Sequence, residues 1–131
     1  MPSVDELLAA ARLRLGHRPD PAGLERALAE GALVVDIRPI AQRRADGQID
    51  GAVVIDRNVL EWRLDPSSEH RIAGVSRDRA VILFCNEGYA SSLAAATLCE
   101  LGLDATDLAG GIQAWITSGR AVVDGEATIE G

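Results

Sequence analysis

Residues 81–101 read VILFCNEGYASSLAAATLCEL, and the change of character inside this stretch decides the fold. The apolar run 80–84 has the length of a buried strand. It stops abruptly at Cys85. A polar turn follows, Cys85-Asn86-Glu87-Gly88-Tyr89-Ala90, and from Ser91 strong helix formers run to Leu101, where Gly102 ends them. The pattern predicts a strand, a tight loop and a helix, with a thiol at the hinge. Such a loop wraps the sulfur while the helix start directs unpaired N–H groups at it. Those dipoles favour negative charge, so they lower a thiol's pKa and raise its thiolate fraction. The stretch points to a nucleophilic cysteine.

Working outward, strands and helices alternate. Ser3 with Glu6 forms a capping box, and Val4, Leu7, Leu8, Ala11 and Leu15 recur at helical spacing, predicting an amphipathic helix over 3–16. Asp20-Pro21 supplies an N-cap and a first-turn proline for a second helix, with Leu24, Ala27 and Leu28 inward and Gly31 as its stop. ALVVDI, 32–37, reads as a buried parallel strand that Pro39 closes off. A short helix at 40–45, a strand at 52–55, and a brief helix capped by Asn58 and carrying Leu60, Trp62 and Leu64 come next. The segment 65–68 is loop. Beyond the central stretch, a strand at 105–108 runs into Gly110-Gly111, and Ile112, Trp115 and Ile116 mark a last helix that Gly119 ends. The tail from 125 to 131 is expected to fray. The order implies one α/β domain over 1–131, a central, mostly parallel sheet flanked by helices on both faces. Ligands of such sheets bind at the C-terminal strand edge, where Cys85 falls.

Composition narrows the function classes. The 131 residues are 47% apolar and 25% charged, with a net charge of −7, and all thirteen basic residues are scattered arginines. An acidic chain without a basic stripe is a poor partner for nucleic acid. No apolar run reaches the roughly 18 residues that span a bilayer, and the N-terminus has no signal-peptide pattern. The expectation is a cytoplasmic protein that engages neither membrane nor nucleic acid. Two cysteines, two histidines and no Cys-x-x-Cys pair give no metal site and call for no cofactor.

Four segments, in order, resemble the rhodanese-like (sulfurtransferase) domain family. Asp36-Ile37-Arg38 is similar to its Asp-x-Arg, and Gly47-Gln48-Ile49-Asp50-Gly51-Ala52 to its Gly-His-Ile-Pro-Gly-Ala turn. Cys85 to Ala90 resembles the Cys-x-x-Gly-x-x loop, and Leu108 to Trp115 the closing Gly-Gly-x-x-x-Trp. The resemblance covers roughly residues 20–120. Gln48 and Asp50 depart from the family pattern in the turn, as do Glu87 and Ala90 in the loop. The family implies transfer of sulfane sulfur through a persulfide on Cys85, from a donor such as thiosulfate to a thiol or cyanide acceptor, with a protein persulfide as a further partner. The 86–91 backbone would form the cradle. Phosphatases and arsenate reductases of this fold need Cys-x5-Arg, and here that position is Ser91. The alternative from another class is a non-catalytic rhodanese-like binding or regulatory module, which Glu87 and Ala90 keep open.

Individual residues carry competing readings. Ser91 or Ser92 either donates a hydroxyl to the sulfur or caps the helix. Gly88 is expected at positive φ. Glu87 would repel anions, and is expected to turn into solvent. Arg38 and Arg57 both follow strands and so share the Cys85 edge. One of them is expected to offset Glu87 or bind the donor's anionic end, although an ion pair is the better reading of Arg38. Tyr89 either lines the rim or is an exposed loop residue. Trp62 and Trp115 are expected to pack apolar surface. Cys99 lies about 12 Å along the helix from Ser91 at 1.5 Å per residue, too far for a disulfide, and is expected to be a core thiol. His17 and His70 have no assigned role, which leaves a cysteine protease without its base.

Overall fold

A computed structural model describes residues 2–124 and the backbone of 128–129. Ser3 caps α1 (Val4–Leu15), its hydroxyl accepting from the Glu6 N–H, and Asp20 caps α2 (Pro21–Ala29) through the Gly23 N–H. Then follow β1 (Leu33–Asp36), α3 (Ile40–Asp46), β2 (Val53–Val54), a 3₁₀ turn (Arg57–Val59) and α4 (Leu60–Leu64). The chain closes with β3 (Val81–Phe84), α5 (Ala90–Glu100), β4 (Ala105–Asp107), α6 (Gly111–Thr117) and β5 (Thr128–Ile129). The strands lie in the order β4-β3-β1-β2-β5, and every pairing is parallel.

The two-residue period of the strands sorts their side chains into two cores. Leu33, Val35 and Ile37, with Val81, Leu83 and Cys85, face the side covered by α4 and α5, where Leu60, Leu64, Ala94, Ala95 and Leu98 meet them. Val34, Ile82 and Phe84 face the side covered by α2 and α6, against Leu24, Ile112 and Trp115. A strand buried on both faces therefore has no polar alternate, as the runs at 32–37 and 80–84 show. The chain steps from β1 outward to β2, then returns to the other side of β1 for β3 and β4. That reversal opens a crevice beyond the ends of β1 and β3. Cys85 stands in it.

Several expectations change. The brief helix is capped not by Asn58 but by Asp56, whose carboxylate accepts from the Asn58 N–H at 2.7 Å. Trp115 is buried, its indole N–H donating to Ala121 O at 2.9 Å, but Trp62 is 57% exposed because Leu60 and Leu64 take the inward face of α4. On α1, Ala11 is buried while Val4 and Leu7 are exposed. Among the contacts of α1, those with α5 and β4 hold it in place. In the tail, Thr128–Ile129 pair with β2 as a fifth strand; residues 125–127 and 130–131 lie outside the described residues.

Candidate active site

The Cys85 thiol is buried at the end of β3. Its sulfur accepts from the Gly88 N–H at 3.3 Å and the Ser91 N–H at 3.4 Å, and its S–H donates to Ser91 Oγ at 3.2 Å. The 85–90 loop thus folds back on its first side chain and delivers the first turn of α5 to it. Neither serine caps α5: Tyr89 occupies the capping position and makes no side-chain capping bond. Ser91 touches the sulfur, and Ser92 does not.

Behind the loop lies a fully buried carboxylate, Asp107 at the end of β4. It takes a bidentate pair from Arg18, 2.7 Å from Nε and 3.1 Å from Nη2, and hydroxyl donors from Ser91 at 2.7 Å and Ser92 at 2.8 Å. The Ser91 proton points to Asp107, so the Ser91 oxygen is free to accept from Cys85. Ser91 is a two-way group: when the sulfur is ionised, the same hydroxyl can turn and donate to it. The Gly88 carbonyl is gripped from the same side, by Arg12 Nη2 at 2.8 Å and Arg18 Nη2 at 3.0 Å. Arg12 also donates to Ser92 Oγ and lies over the Tyr89 ring, 5.6 Å from its centroid. Arg18 reaches this place because the 16–20 linker is pinned to β4, with Thr106 donating to His17 O and the Ala109 N–H to Pro19 O.

Two glycines let the backbones close around the loop. Gly88 has φ +88°, and a Cβ there would stand 3.0 Å from Gly110 N and 3.2 Å from Leu108 O. At Gly111, φ +61°, a Cβ would stand 2.5 Å from Asn86 O. With no side chain in the way, α6 starts against the loop: the Ile112 and Gln113 N–H groups donate to the Cys85 and Asn86 carbonyls at 3.0 and 3.2 Å. Gln113 also holds the Asn86 side chain, at 2.9 Å.

In front of the sulfur is a cleft of about 280 Å³, walled by Ile37, Pro39, Gln42 and the loop residues Asn86, Glu87, Tyr89 and Ala90. Both sequence-predicted arginines line it, and both are already engaged. Arg38 is buried in a bidentate pair with Asp36 at 3.0 and 2.8 Å, and donates to Gly47 O. Arg57 is paired to both oxygens of Glu61 at 2.8 and 3.0 Å, so it does not offset Glu87. Glu87 itself is exposed at the mouth, and Tyr89 is 57% exposed at the rim. Cys99 is half-buried against the core, 3.3 Å from Ala105 O. Neither His17 nor His70 touches Cys85; His70 sits on the surface beside Glu69. Asp65, held below its usual carboxylate range mainly by the Ser67 N–H and then its hydroxyl, forms no wall of the cleft. Among the described residues, no group of three or more His, Cys, Asp or Glu could hold a metal.

Arg12, Arg18 and Asp107 are the residues that sequence reading misses. One signal for Asp107 exists: a carboxylate at the end of a short strand, just before Gly110-Gly111, needs a partner once buried. Nothing local indicates that the partner is Arg18.

The chain belongs to the rhodanese-like domain family, whose model matches residues 20–118. Its fold is shared with a protein of unknown function and possible tyrosine phosphatase from Rhodopseudomonas palustris, at 27% identity and TM-score 0.84, covering 94% of this chain and 96% of that one. A rhodanese homolog from Thermus thermophilus is 31% identical with TM-score 0.57, over 75% and 99%. A thiosulfate sulfurtransferase from Pseudomonas aeruginosa is 27% identical with TM-score 0.71, over 86% of this chain but only 20% of that one. No curated protein matches the chain. No helix among the described residues is long and apolar enough to cross a membrane.

Proposed function

We propose that the chain is a sulfurtransferase that carries sulfane sulfur as a persulfide on Cys85. The observation that supports this most is the sulfur itself, set at the floor of an open cleft with two backbone N–H donors and a reorientable hydroxyl around it. The Cys85 thiolate attacks the outer sulfur of thiosulfate. A Cys85 S–S bond forms, the S–S bond of thiosulfate breaks, and sulfite leaves with the electron pair. A thiol or cyanide then attacks the outer sulfur and releases the Cys85 thiolate, a two-step covalent cycle. The Gly88 and Ser91 N–H groups can follow the negative charge from the thiolate sulfur onto the persulfide at no reorganisation cost.

Phosphoryl chemistry finds less support. The position where an oxyanion clamp would stand is Ser91, whose side chain is committed to Asp107 and Cys85. A binding module is favoured by one observation, the exposed Glu87 at a mouth whose arginines are already paired.

The test is the intact mass of wild type and Cys85→Ser after incubation with thiosulfate, glutathione persulfide or mercaptopyruvate. Gain of one sulfur atom, reversed by cyanide or dithiothreitol and absent from Cys85→Ser, is expected. No gain from any of the three donors overturns sulfur transfer and leaves the binding module as the reading.

A further inference from the structure

Beside the Cys85 cleft lies a second trough, of about 460 Å³, and the two share the wall formed by Ile37, Arg38, Pro39 and Arg57. The proposed chemistry at the sulfur does not use it. Its own lining adds the apolar Ile40 and Val54 and two opposite charges, Arg43 and Asp56. Of the arginines that line either cavity, Arg38 and Arg57 are held by carboxylates, although Arg38 keeps its Nη1 buried without an acceptor. The Arg43 side chain has no ion pair or hydrogen bond among the described residues, and its Nε is buried without an acceptor. A buried guanidinium N–H in that state gains from an arriving acceptor, and a carboxylate matches its fork best. Asp56 uses one oxygen to cap the 3₁₀ turn. Its other oxygen takes no hydrogen bond among the described residues, and suits an ammonium group.

We infer that this trough is a binding subsite for the carboxylate end of an amino-acid or peptide thiol whose sulfur reaches Cys85. The carboxylate pairs with Arg43, the ammonium group with Asp56, and the aliphatic stem crosses Ile37 and Pro39. Zwitterionic organic thiols are thereby favoured over small dianions, which meet Glu87 at the mouth and find no unpaired guanidinium near the sulfur. The role in turnover rests on the sulfur-transfer reading, although the binding does not. There the bound thiolate attacks the outer sulfur of the Cys85 persulfide. A new S–S bond forms on the acceptor, the Cys85–S bond breaks, and its electron pair stays on Cys85. No oxidant or reductant is consumed.

The probe is S-methylglutathione, a peptide thioether that cannot accept sulfur, titrated into the wild-type protein with amide chemical shifts as the readout. Saturable shifts at residues 37–43 and 56–58 are expected. Arg43→Gln is expected to weaken binding about tenfold, the scale of one charge-assisted bidentate contact. Arg43→Lys, which keeps the charge and loses the fork, should fall between. Arg44→Gln, on the neighbouring exposed residue, should leave binding within about twofold, as for an unpaired surface charge. No saturable shift, shifts elsewhere, or equal losses in the Arg43 and Arg44 variants would overturn the subsite. Sulfur gain on Cys85 without probe binding removes the subsite and leaves sulfur transfer standing. Probe binding at these residues without sulfur gain supports the subsite and removes sulfur transfer.

Discussion

The two sides of the 85–90 loop are built in opposite ways. Behind it, Arg12 and Arg18 donate to the Gly88 carbonyl, and Asp107 gathers Arg18, Ser91 and Ser92 into one buried network. In front of it, the cleft holds an exposed carboxylate and two arginines already neutralised by Asp36 and Glu61. The cations nearest the loop therefore hold its shape. They do not greet the substrate. A narrow loop that must present several N–H groups to one sulfur needs rigid support from behind, because the N–H vectors lose their aim with small changes of backbone angle. Charge at the front has a different consequence, setting which ligands approach and scarcely affecting whether the loop forms.

This contrast is open to direct attack. The largest effect is expected for Asp107→Ala, which strands the partly buried Arg18 guanidinium and two buried hydroxyls. A loss of about 3 kcal/mol, at the low end for breaking a buried pair, should appear as a lower urea midpoint with an unchanged slope. Asp107→Ala with Arg18→Met should be less than additive, because both remove the same pair. Next is Gly111→Ala. Positive φ and a Cβ pressed against the Asn86 carbonyl should cost about 2 kcal/mol and slow Cys85 alkylation by iodoacetamide, since α6 can no longer close on the loop. Arg12→Ala removes one of three donors to Gly88 O, beside Arg18 and Ser92, from a partly exposed position. A loss near 1 kcal/mol is expected, with slower alkylation at pH 7, and unchanged alkylation would show that Arg18 and Ser92 fix the carbonyl without it. The smallest effect on stability belongs to the front. Glu87→Gln should leave the unfolding midpoint within about 0.5 kcal/mol yet lower the thiosulfate KM about threefold, a gain that shrinks as salt screens the mouth. A Glu87→Gln variant with lost stability and unchanged KM would invert the comparison.

Local signals carried much of this architecture. Ser3, Asp20-Pro21 and the Gly102 stop mark real helix ends, since caps act over three or four residues. The Arg38 ion pair is legible through the Asp-x-Arg segment, whose two charged members stand two residues apart at a strand exit. Gly88 is legible because positive φ singles out glycine, and Gly110-Gly111 through the closing Gly-Gly-x-x-x-Trp segment. Local sequence misleads where neighbours compete. Asp56 and Asn58 both suit a cap, and the chain path selects the residue before the turn. Trp62 sits among apolar neighbours in sequence, yet helix geometry gives the inward face to Leu60 and Leu64.

Sequence by itself determined the strand–loop–helix unit, the parallel alternation around it, and the thiol at its hinge, because each rests on period, capping or glycine chemistry within one short segment. Only the tertiary structure decided that Arg18 meets Asp107 across 89 positions, that Ser91 and not Ser92 faces the sulfur, and that Arg57 is spent on Glu61 while Arg43 stands unpaired. A charged side chain can find its partner on any element that folding brings near. That choice belongs to packing, which no local pattern encodes.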